Sequence, residues 1–74
     1  MKIVFTRHAR EKLAQRIITA EMVRLTVNSP KKLITDSEKF HAFRKLGGKY
    51  LKVVFVRQDD IVDIITQYFV NSLP

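Results

Sequence analysis

Hydrophobic and polar residues change their spacing twice along this chain. Lys2-Ile3-Val4-Phe5 is a short β-prone run that stops at Thr6, whose hydroxyl suits the N-cap of a following helix. From Arg7 to Arg16 there is no Gly or Pro, and Ala9, Leu13 and Ile17 recur every fourth residue. That spacing predicts one helical face, with His8, Lys12 and Arg16 as a neighbouring stripe. Thr19 offers a second N-cap, Glu21 places a carboxylate in the first turn where the helix dipole favours it, and Val23, Thr26 and Val27 continue inward. This second helix ends near Asn28-Ser29-Pro30, so the two short helices form an αα-hairpin.

Beyond Pro30 the period becomes two. Strands are predicted over Lys32 to Thr35, Lys39 to Leu46, Lys49 to Arg57 and Ile61 to Val70, with turns at Asp36-Ser37-Glu38, Gly47-Gly48 and Gln58-Asp59-Asp60. The glycine pair predicts a two-residue type I′ hairpin, whose central positions both need positive φ. Pairing Leu46 with Lys49 sets Arg44 opposite Leu51, Ala42 opposite Val53 and Phe40 opposite Phe55 on one face. On the other face Lys45 meets Tyr50, Phe43 meets Lys52 and His41 meets Val54. Strict alternation in the last strand adds Val62, Ile64, Thr66 and Tyr68 to the first face, and Ile61, Asp63, Ile65, Gln67 and Phe69 to the second. The expected architecture is α+β in the order β-α-α-β-β-β-β, a helix hairpin packed on one face of an antiparallel-dominated sheet. Its other face is basic and dotted with aromatics.

Composition narrows the classes. At 74 residues the chain makes one small domain, residues 1–74, and the absence of cysteine removes disulfides and thiolate metal sites as supplements to its core. With 46% hydrophobic and 28% charged residues it lies in the folded regime. No apolar stretch approaches a membrane span or a signal-peptide core, so the expected location is cytoplasmic, with no membrane partner. Fourteen Lys and Arg against seven Asp and Glu give a formal charge of +7, a dense positive field that points to an anionic partner.

Which residues could use that charge? His41 and Lys52 form a diagonal pair on the open face, and a neutral imidazole beside a cation suits a general base. Cleaving RNA at its 2′-OH requires a base, an acid for the leaving 5′-oxygen and cations for the charge that develops on phosphorus. His41, Lys45, Tyr50 and Lys52 carry suitable groups, although the same pattern describes a solvated face whose lysines deter edge aggregation. His8 lies in the first turn of the first helix, where free N–H groups favour an anion, and Lys12 and Arg16 extend that site. The alternative there is an ordinary surface His with Arg16 stabilising the helix end. Thr66 and Tyr68 are expected in the core, with Arg16 as a hydrogen-bond partner for the Tyr. Two distant histidines and scattered carboxylates make no familiar ligand set, so neither a metal nor a cofactor is expected.

The segments Phe5-Thr6-Arg7-His8-Ala9, Arg16-Ile17-Ile18-Thr19, Glu21-Met22-Val23 and Ile64-Ile65-Thr66-Gln67-Tyr68 resemble a family of small domains of unknown function within the RelE/ParE toxin superfamily. The resemblance covers nearly the whole chain and its element order. It implies a compact, metal-independent ribonuclease or mRNA interferase held in check by an acidic antitoxin protein, and it raises His8, Arg16 and Thr66 as site residues. Ribosome-dependent members carry a long basic C-terminal segment, whereas Asn71 to Pro74 follow the last predicted strand directly, so direct RNA cleavage or binding is expected. His8 or His41 would be the acid/base, Arg16 and Lys52 would stabilise phosphate charge, and Lys12, Lys45, Lys49, Tyr50 and Arg57 would bind the nucleic acid. Two alternatives are a non-catalytic nucleic-acid-binding module using Phe43 and Tyr50 as stacking platforms, and a protein-interaction domain that accepts a strand at its sheet edge.

Overall fold

A computed structural model describes residues 1–74. In chain order the elements are β1 (Lys2–Phe5), α1 (Arg7–Gln15), α2 (Ala20–Asn28), β2 (Lys32–Asp36), β3 (Lys39–Leu46), β4 (Lys49–Gln58) and β5 (Ile61–Val70). The strands form one sheet in the spatial order β1-β5-β4-β3-β2. Three antiparallel pairings build most of it, and β1 adds in parallel to β5. The result is a small α+β fold with two helices on one face of a mostly antiparallel five-stranded sheet.

Local chemistry explains the element ends. The Thr6 hydroxyl accepts from the Ala9 N–H at 3.2 Å and so caps α1, and Thr19 caps α2 by accepting from the Met22 N–H at 3.1 Å. Between the helices Ile17 takes φ 53°, a left-handed turn that ends α1 and drops Ile18 into the core. The Arg44 guanidinium donates to the Ser29 carbonyl at 2.7 Å, placing a cation at the C-terminal end of α2 where the helix dipole favours it. Ser37 and Asp59 take positive φ in the two-residue turns that join β2 to β3 and β4 to β5. In the glycine hairpin positive φ is confined to Gly47, the pattern of a type II′ turn and not of the expected type I′.

Ala9, Ile18 and Val23 from the helical layer meet Ala42, Leu51, Val53, Phe55, Val62 and Ile64 from the sheet. Each large side chain among them contributes about 1.5–3 kcal/mol by leaving water. α1 lies on β5 and β1, and α2 on β4 and β3. The β3–β4 register is the one the glycine pair predicts, with His41 opposite Val54 and Phe43 opposite Lys52.

In β5 the alternation breaks. Val54 pairs with Thr66 but Phe55 pairs with Ile64, so Ile65 is an extra residue in a β-bulge. One inserted residue flips every side chain after it. Thr66 and Tyr68 therefore lie on the open face, not in the core, while Gln67 and Phe69 turn under the helices. Gln67 is fully buried, and its side-chain amide donates to the Ala9 carbonyl at 2.8 Å, tying β5 to α1. Thr6 packs at the bulge, its hydroxyl donating to the Ile65 carbonyl at 3.2 Å and its N–H to the Ile64 carbonyl at 3.0 Å. No helix is long and apolar enough to cross a membrane.

Candidate nucleic-acid site at the β5 edge

β1 pairs only with Ile61 to Ile64, so β5 from the bulge onward is an open sheet edge. One side chain of α1 and that of its C-cap residue, Arg16, reach it. His8 Nε2 lies 3.3 Å from Thr66 Oγ1, and Arg16 Nη1 donates to the Gln67 carbonyl at 2.9 Å while lying 3.5 Å from Thr66 Oγ1. The guanidinium also stacks over the Tyr68 ring at 5.6 Å. From β4, Lys52 Nζ lies 5.4 Å from the centre of the same ring and 5.6 Å from that of Phe43. Residues from a helix and two strands thus converge on the last stretch of β5.

This arrangement joins an imidazole, a hydroxyl, two fixed cations and an aromatic surface. Arg16 spends one nitrogen on the sheet edge, which fixes the plane of the guanidinium and leaves the N–H groups on Nε and Nη2 for an anion. The Thr66 hydroxyl either donates to His8 Nε2 or accepts from it, and in both cases sets the ring's orientation. His8 is exposed on the solvent side of the contact and open to a substrate. Bulge and cap together create the site, because with Ile65 paired in strict alternation neither Thr66 nor Tyr68 would face it.

The remaining candidates fall into two groups. His41 and Lys52 share a depression elsewhere on the open face, a cleft of about 540 Å³ walled by Ile34, Phe43, Val70 and Leu73. His41 Nε2 is buried there without a hydrogen-bond partner, 4.0 Å from Asp36 Oδ2. Lys45 and Tyr50 pair across β3 and β4 on that same face. Phe43, proposed above as a stacking platform, is only 3% exposed and cannot stack on a base. The Lys12 ammonium donates to Gln15 at 2.9 Å along its own helix and makes no hydrogen bond to the side chains of the cluster. Lys49 and Arg57 sit at opposite ends of β4 in register with Leu46 and Val62, on the side the helices cover. They do not join the other cations. Nowhere do three His, Cys, Asp or Glu side chains cluster as metal ligands would.

Sequence reasoning missed Tyr68 as a surface residue and Gln67 as a buried one. Both errors have one cause, the bulge at Ile65.

Residues 5–69 match the family described as Domain of unknown function (DUF4258). The chain belongs to that family. The match runs from Phe5, ahead of the α1 cap, to Phe69, near the end of β5, and therefore takes in both helices and every residue of the edge cluster. No curated protein and no solved structure matches the chain.

Proposed function

We propose that the chain is a RelE/ParE-like toxin domain that acts in the cytoplasm on RNA as a metal-independent ribonuclease, with the β5-edge cluster as its site. One observation carries this reading: His8 and Arg16 both lie within 3.5 Å of Thr66, a residue distant in sequence, at an open sheet edge that Lys52 and Tyr68 flank. In the proposed reaction His8 removes the proton from a 2′-OH, which attacks the adjacent phosphorus, and the bond to the leaving 5′-oxygen breaks as that oxygen takes a proton from solvent water. Arg16 and Lys52 stabilise the negative charge on the phosphoryl oxygens, and Tyr68 offers its ring to a neighbouring base. His41 lies two strands away from β5 and is assigned no part in the chemistry. An acidic antitoxin protein is the proposed partner that neutralises this charge.

Induced expression in bacteria tests the toxin reading. Wild type and His41→Ala are expected to arrest growth, and His8→Ala to relieve the arrest. Unimpeded growth with the wild type would sink the proposal.

Binding to RNA without cleavage is the second reading, favoured by the tie between Arg16 and the Gln67 carbonyl, which gives that side chain a structural task as well. Under it His8→Ala leaves RNA affinity nearly unchanged, Lys52→Glu weakens it, and no RNA is cut.

A further inference from the structure

The cleft on the open face is a second place where the molecule could hold a ligand, and nothing in the edge chemistry uses it. Its volume of about 540 Å³ suits a ligand of nucleotide size. Ile34, Val70 and Leu73 give it apolar walls, and Lys32 Nζ donates to the Pro74 carbonyl at 2.7 Å, which holds the last residues against the sheet as one side of the cleft. At its inner end His41 Nε2 lacks any partner, a costly state for a buried nitrogen, and Asp36 Oδ2 lies 4.0 Å away, too far for a direct hydrogen bond. The Asp36 side chain is 75% exposed and can rotate to admit a donor. Lys52 lines the cleft as well, and its Nζ lies 5.4 Å from the Tyr68 ring of the edge cluster.

We infer that the cleft binds an unstacked RNA base bearing an exocyclic amino group, with its phosphate directed toward Lys52. The assignment follows from the pair of acceptors. With its proton on Nδ1, His41 presents the Nε2 lone pair, and Asp36 presents a carboxylate oxygen. An amino group has two N–H bonds and bridges both. Adenine, cytosine and guanine carry such a group, whereas uracil presents two carbonyl oxygens and a single ring N–H. A uracil oxygen would face the Asp36 charge and leave one acceptor empty. Because Lys52 both lines the cleft and lies over the Tyr68 ring, a base held here would lead its backbone toward Arg16 and His8. This inference rests on the RNA reading above and adds base selection to it.

The test is titration of the full chain, followed by NMR, with AMP, CMP, GMP and UMP, and separately with oligoadenylate and oligouridylate of equal length. The amino-bearing nucleotides and oligoadenylate are expected to shift resonances of His41, Lys52 and Val70 and to bind about tenfold more tightly than the uracil ligands. Asp36→Ala, at an exposed position, removes the preference, and His41→Gln supplies a second variant should that surface change prove silent. Equal affinity for all four nucleotides, or shifts confined to the edge cluster, would overturn the base assignment even if His8-dependent cleavage stands. Binding of mononucleotides without binding of either oligonucleotide would overturn the link to RNA. Selective binding in a chain that cuts no RNA leaves this inference intact while the ribonuclease reading fails.

Discussion

Gln67 shows how one side chain can decide what its neighbours do. It is fully buried, its amide N–H meets the Ala9 carbonyl, and its own oxygen, Oε1, has no partner. The hydrogen bond contributes about 1 kcal/mol, and the unpaired oxygen costs a similar amount, so the polar group is close to neutral for stability. What Gln67 supplies in addition is volume and position under α1. Replacing it by Leu is therefore expected to change stability by less than about 1 kcal/mol, since the orphaned oxygen disappears along with the bond. Gln67→Ala opens a cavity and is expected to cost about 2–3 kcal/mol. Urea unfolding of the two variants measures the difference, and equal losses would show that the hydrogen bond, not the packing, is what matters.

At the scale of elements the bulge in β5 is the feature on which the site depends. Deleting Ile65 closes the bulge but leaves Thr66 opposite Val54 and Gln67 opposite Val53, so each side chain keeps its face while the hydrogen bond from Thr6 to the Ile65 carbonyl is lost. The deletion is expected to cost about 2 kcal/mol through that bond and the disturbed junction of β1 with β5, against roughly 1 kcal/mol for Ile65→Ala, whose backbone carbonyl still meets Thr6. Chemical denaturation of both variants distinguishes a needed insertion from a merely packed side chain. The same bulge marks the limit of what the sequence makes legible. Caps at Thr6 and Thr19, the glycine hairpin and the change of period place all seven elements and the whole β3–β4 register. They do so because each signal is local, a side chain meeting its own backbone or a turn requiring positive φ. A bulge has no such local signature in Ile64-Ile65-Thr66, where every residue is β-prone. It is set by Thr6 at the end of β1, a contact across 59 residues. His8 and Arg16 were legible as a helical stripe; that they meet Thr66 at a free sheet edge was not.

For the whole molecule the question is where a charge of +7 acts. Among the fourteen Lys and Arg only Arg7 and Arg24 lie within 4 Å of an Asp or Glu carboxylate, so most of the positive charge is left for an external anion. It does not form one groove. Lys45 and Lys52 share the open face, whereas Lys49 and Arg57 belong to the helix side. Binding of single-stranded RNA is expected to weaken with salt, and Lys52→Ala to reduce the log–log slope by about 0.7, while Lys49→Ala and Arg57→Ala leave it unchanged. Equal effects from all three would mean that charge acts without regard to face. The central claim is narrower, that the His8, Arg16 and Thr66 cluster cleaves RNA. Its most direct measurement is the cleavage of end-labelled single-stranded RNA by wild type, His8→Ala and His41→Ala in the presence of a chelator. Cutting by the wild type, and by His41→Ala with its base preference reduced, together with a loss of about 100-fold or more in His8→Ala, is the predicted result. RNA left intact by the wild type, or cut equally well by His8→Ala, would contradict it.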